Sequence, residues 1–124
     1  MSGDDIHFLL HLRNQIKLYH WQTRTYARHI ATDKLLDDID SIIDKYVEVY
    51  IGKYGRKKLS AKQAQIQLAN LTEAGASRFV TAAIRYAQGP LVKHLNSSVD
   101  TDLINMKDEL VATLNQLLYL FTLH

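Results

Sequence analysis

The stretch HIATDKLLDDIDSIIDKYVE, residues 29–48, carries two faces at once. Leu35, Leu36, Ile39, Ile42, Ile43, Tyr46 and Val47 recur at helical spacing and form an apolar side suited to a core. Opposite them, His29, Asp33, Asp37, Asp40, Asp44 and Glu48 follow one another at steps of 4, 4, 3, 4 and 4, which keeps all six in one narrow stripe. Like charges at that spacing repel by roughly a few tenths of a kcal/mol per pair. The stripe therefore needs compensation, from screened water or from a bound cation. Carboxylates combined with neutral imidazoles suit iron, manganese or zinc.

Working outward, the helix containing this stripe is expected from Tyr26 to Tyr50, capped by Thr25 and ended by Gly52 and Gly55. A first helix is expected from Asp4 to Trp21, burying Phe8, Leu9, Leu12, Ile16 and Tyr19, with Asp4 and Asp5 at its positive end. A basic connector, Lys53 to Lys58, follows the second helix. The pattern Ser60-Ala61-Lys62-Gln63 then reads as a capping box opening a short helix to Leu71. A third helix is expected from Ala76 to Leu95, kinked at Gly89-Pro90 because Pro90 cannot donate to the Tyr86 carbonyl. The last begins after Ser97 or Ser98, with Asp100 and Asp102 in its first turn and Leu103, Met106, Leu110, Leu114, Leu117 and Phe121 on its apolar stripe. No strand alternation or internal repeat competes. The expectation is an all-α, four-helix bundle formed as a single domain over residues 1–124.

Composition agrees with a globular domain: 124 residues, 47% apolar and 23% charged. The absence of Cys excludes disulfides, iron–sulfur clusters and thiolate metal sites. A net charge of +2 gives no general affinity for nucleic acid. The acidic N-terminus lacks the apolar run of a signal peptide, and no segment approaches the roughly 20 apolar residues of a membrane span. A soluble, cytoplasmic protein without a membrane partner is expected.

His29 and Asp44 lie 15 residues apart, about 22 Å along a helix, too far for one ion within one chain. The stripe is symmetric about a point between Asp37 and Asp40, with His29 matching Glu48 and Asp33 matching Asp44. Two copies packed antiparallel about a two-fold axis would therefore bring His29 and Asp33 of one chain to Asp44 and Glu48 of the other. An isologous homodimer would hold two identical sites, with Asp37 and Asp40 facing their mates at the centre. A site within one chain is disfavoured, because no Glu is followed by His three residues later. His20, near the end of the first helix beside Trp21, joins the candidates because a two-helix hairpin brings it near His29.

His20-Trp21, His29-x-x-x-Asp33 and Asp44-x-x-x-Glu48 together make the sequence resemble the Dps family of miniferritins. The eleven-residue step from Asp33 to Asp44 and the four-residue step to Glu48 match that pattern. The resemblance extends more weakly to the order of helices over nearly the whole chain. It implies a ferritin-like four-helix bundle with a short extra helix between the second and third helices. It also implies Fe(II) oxidation by oxygen or peroxide at ferroxidase centres shared across a dimer interface, with ferric mineral stored in a twelve-subunit shell, and so a role in iron storage or oxidative-stress protection. By matching position, His20, His29 and Asp33 would be metal ligands from one subunit and Asp44 and Glu48 from the other. Trp21 matches the tryptophan beside that centre, and Asp37 and Asp40 are accessory candidates. This sequence departs from the family in having a nine-residue step from His20 to His29 and no Lys-rich tail.

Two other readings compete. In one, the chain is a non-enzymatic helical interaction module whose acidic stripe is solvated or covered by a partner. In the other, Lys53, Arg56, Lys57, Lys58 and Lys62, interleaved with Tyr50 and Tyr54, contact nucleic-acid phosphates, against which the acidic stripe argues. His7 and His11 stand one turn apart without a third ligand in the pattern and read as surface residues.

Overall fold

The computed structural model describes residues 2–124 and is all-helical, with no strand among the described residues. Four long helices, α1 (Gly3–Gln22), α2 (Tyr26–Tyr54), α3 (Glu73–Gln88) and α5 (Thr101–Leu120), are joined by short α4 (Pro90–Lys93) and one long connector. α1 packs on α2, α2 on α5, and α5 on α3. Phe8 stacked on Tyr86 and His11 edge-on to Phe79 close the ring between α1 and α3. Leu12, Ile39, Ala87, Leu103, Leu114 and Leu117 are fully buried at its centre. No helix among the described residues is long and apolar enough to cross a membrane.

α2 runs four residues past its expected end. Gly52 inside a helix costs about 1 kcal/mol relative to Ala, but the final turn gains tertiary partners. Lys53 Nζ reaches the Val99 carbonyl at 2.6 Å and Asp102 Oδ1 at 2.8 Å, and Tyr54 donates to Asp100. Gly55, at φ 89°, then ends the helix in a conformation that L side chains rarely adopt. The polar segment Thr23–Thr25 turns α1 antiparallel into α2. Arg28 locks that end: it donates to Tyr19 Oη (3.0 Å), the Glu73 carbonyl (2.7 Å) and the Phe121 carbonyl (3.2 Å).

The short helix expected between Ser60 and Leu71 is a single turn over residues 61–64. The capping box itself is present, with Ser60 N donating to Gln63 Oε1 at 3.0 Å and Gln63 N to Ser60 Oγ at 3.2 Å. Beyond it, α1 captures the backbone that a helix would need. Gln15, buried on α1, donates from Nε2 to the Ala69 carbonyl and accepts from the Ala69 N–H, both at 2.8 Å. The Gln63 carbonyl accepts from His7 Nδ1 at 2.8 Å, and Gln22 reaches Asn70.

α3 begins three residues earlier than expected, because Thr72 caps it by accepting from Gly75 N at 3.0 Å. The kink expected at Gly89-Pro90 is a full break. Gly89 (φ −114°, ψ −93°) leaves the helix, and Pro90, lacking an N–H, starts α4 at its first position. Fully buried Asp5 fastens α4 to the start of α1 by accepting from Tyr86 Oη (2.8 Å), His94 Nδ1 (2.7 Å) and Ser2 N (3.1 Å).

Candidate metal centre

The three-residue turn between α1 and α2 sets His20, in the last turn of α1, against His29, in the first turns of α2. Their rings stack with centroids 4.0 Å apart and planes 14° from parallel. Each ring is held by the other residue's backbone: His20 Nδ1 lies 2.9 Å from the His29 carbonyl, and His29 Nδ1 lies 3.0 Å from the His20 carbonyl. A carbonyl only accepts, so Nδ1 carries the proton in both rings and Nε2 is the nitrogen left for a ligand. Buried Thr32 adds a hold, its Oγ1 2.9 Å from His20 Nδ1 while its own hydroxyl donates to the Arg28 carbonyl at 2.7 Å.

His20 Nε2 stands 3.7 Å from Asp33 Oδ1. With Nδ1–H committed to the carbonyl, a neutral His20 presents a lone pair to a carboxylate, and neither atom can donate to the other. Both are acceptors, so the pair could be bridged by water or by a metal ion. His20 is buried and Asp33 is exposed, so the open side of this pair faces solvent.

The rest of the stripe divides. Arg13 takes Asp40 with two donors, Nε to Oδ1 at 2.9 Å and Nη2 to Oδ2 at 3.3 Å, so the middle of the stripe is compensated within the chain. Asp37 is exposed. Asp44 and Glu48 are exposed one turn apart on the same face of α2. Proton sharing with the neighbouring Asp44, and then the Asp44 charge, push the Glu48 carboxyl above the usual carboxylate range. One end of α2 thus offers two oriented imidazoles and a carboxylate, and the other offers two carboxylates sharing a site. Eleven residues, about 16 Å of helix, separate Asp33 from Asp44. Among the described residues no three His, Cys, Asp or Glu side chains converge to hold an ion within the single chain.

Asp44 lies in a groove along the α1/α2 hairpin, where Leu10, Arg13 and Asn14 of α1 face Asp40 and Ile43 of α2. Leu10 is 41% exposed and Trp21 67%, the latter covered in part by Lys17, whose Nζ is 5.4 Å from the ring centroid. Trp21 therefore does not serve as packing within its own chain.

Sequence reasoning did not identify Arg13, Arg28 or Thr32. Thr32, three residues after His29 on the buried side of the helix, was the legible one: a mid-helix hydroxyl either caps a backbone carbonyl or holds a neighbour. The basic set in the connector loses Lys53, which is committed to α5 through Val99, Asp100 and Asp102. Arg56, Lys57, Lys58 and Lys62 remain exposed.

Comparison with known proteins adds kinship. One curated relative, the "Uncharacterized 14.6 kDa protein in mobD-ri intergenic region" of Enterobacteria phage T4, is 45% identical over 38 residues, which is 31% of this chain and 30% of the relative. The match thus spans under a third of the relative's length. No solved structure matches the chain. The family described as "Family of unknown function (DUF5856)" matches residues 20–121, from His20 through the whole of α5. The chain belongs to this family.

Proposed function

We propose that the chain pairs with a second copy across the open α1/α2 face and that each pair binds and oxidises Fe(II) at two equivalent sites. In each site His20, His29 and Asp33 come from one chain and Asp44 and Glu48 from the other. The observation carrying this reading is the stacked His20–His29 pair. Its Nδ1 protons are fixed on backbone carbonyls, and its His20 Nε2 stands 3.7 Å from the Asp33 carboxylate, an acceptor pair that a metal ion would suit. The Asp44–Glu48 pair is the complementary half, two like charges that a cation would relieve. The exposed Leu10 and Trp21 on the same face favour its being covered. The one long crossover between α2 and α3 agrees with a ferritin-like bundle.

In this reading Fe(II) is the substrate. Two ferrous ions each give one electron to a peroxide, which takes two protons and leaves as two water molecules; dioxygen is the alternative oxidant. The carboxylates offset the metal charge, the imidazoles keep the first shell neutral in part, and the positions not filled by protein stay open to the oxidant.

Complementation between defective chains tests both halves of the proposal. H29A/D33A and D44A/E48A should each oxidise Fe(II) no faster than buffer. Mixed after denaturation and refolding, random pairing would restore one site in half of the dimers, about a quarter of wild-type activity. A monomer in sedimentation that does not oxidise Fe(II) would instead mark the stripe as a solvated face. Wild-type activity in D44A/E48A would place any oxidation elsewhere.

A further inference from the structure

We propose that the bowl between α1 and the connector is a second metal site, independent of the α2 stripe, in which His7 and His11 bind a late first-row divalent ion of the Zn2+ class. The two residues are one turn apart on α1, so their side chains leave the same face. The connector, extended instead of helical, passes beside that face and holds the His7 ring from the backbone. His7 Nδ1 donates to the Gln63 carbonyl at 2.8 Å, which fixes its tautomer and leaves Nε2 free for a ligand. Gln67 of the connector lines the bowl beside His11. Backbone carbonyls orienting imidazoles in this way are the usual second layer of a metal site.

Geometry permits one ion to reach both rings. With a metal–nitrogen distance of about 2.1 Å and a tetrahedral angle, the centroids of two ligating imidazoles lie about 5 Å apart. The observed separation is 5.9 Å at an interplanar angle of 60°, a difference that a modest side-chain rotation closes. The bowl has a volume of about 620 Å3 and opens to solvent, with room for an ion and its water ligands. Asp4 lines the same bowl, steered by Gln63 Nε2 at 3.2 Å from its Oδ1, and lends negative charge without completing a three-residue shell. Partial burial, and then the neighbouring His7, pull the His11 pKa below that of a free imidazole, which favours the neutral ring. Two imidazoles with water completing the shell favour copper, nickel and zinc over iron or manganese in the usual order of affinities.

Zn2+ is the probe, with imidazole nitrogen shifts of the wild-type protein as the readout. The expected result is that the ring nitrogens of both His7 and His11 shift together and saturate at one equivalent. In calorimetry H7A and H11A should each weaken that binding roughly tenfold or more, whereas D44A/E48A should leave it unchanged. The proposal is overturned if only one of the two rings responds, if shifts are confined to His20 and His29, or if neither ring responds. The ring-resolved readout on unaltered protein holds even where H7A loosens the connector. Because it separates His7 and His11 from the α2 histidines, either site can fail alone.

Discussion

Replacing Gln15 by Met removes the amide that clamps the connector while keeping the length and volume of a side chain that is 1% exposed. Two hydrogen bonds of 2.8 Å are lost, one to each backbone group of Ala69. Ala69 is itself exposed, so water can replace both partners, and the loss is that of two ordinary neutral bonds, about 2 kcal/mol together. A 124-residue domain has an unfolding entropy of about 260 cal/mol/K at its midpoint, so Q15M should melt about 8 °C lower. Calorimetry measures that shift. Amide exchange identifies its source, because the Ala69 N–H, protected in the wild type by Gln15 Oε1, should exchange at close to the rate of an open loop. If Ala69 stays protected in Q15M, or the midpoint falls by less than about 2 °C, then Gln15 does not determine the extended path of the connector.

Acid stability should depend on Asp100, whose carboxyl is held down to about 2 by the Asn96 N–H, then by the Tyr54 hydroxyl and Lys53. A depressed carboxylate stabilises the fold above its unfolded pKa of roughly 4 and loses that contribution as pH falls through the folded value. Wild-type midpoints should therefore drop between about pH 4 and pH 2, with a shallower drop in D100N; parallel curves would clear Asp100 of the role. Asp44→Asn should return the Glu48 titration to the ordinary carboxylate range, because proton sharing with Asp44 and the Asp44 charge are what raise it. Carbon-detected NMR of the Glu48 carboxyl reads this directly, and an unmoved titration would mean that the two side chains do not share a site. Gly55→Ala should cost about 1–2 kcal/mol through the positive φ at the end of α2. Urea denaturation measures it, and an unchanged midpoint would show that the helix end relaxes to another cap.

The positions of the long helices were legible because their cause is local. Leu35, Leu36, Ile39 and Ile43 recur at helical spacing, and all four are buried where the periodicity puts them. The acidic stripe was legible for the same reason, since one helix sets the mutual positions of residues three and four apart. The nearness of His20 to His29 followed from two helices joined by a short turn. What local pattern misled was the connector: Ser60 and Gln63 form the expected capping box, yet the helix it should open stops after one turn. The backbone of Ala69 is claimed by Gln15, 54 residues earlier, and no local rule registers a competitor at that distance.

Periodicity and capping act over a few residues, so the long helices, their buried faces and the order of charges along α2 could be read directly from the chain. How those charges are answered depends on contacts between distant parts of the chain. Arg13 reaches across from α1 to take Asp40, Thr32 and two backbone carbonyls orient His20 and His29, and the connector holds His7. Each of these depends on groups from different elements meeting at hydrogen-bonding distance, and such distances exist only once the core has brought those elements together.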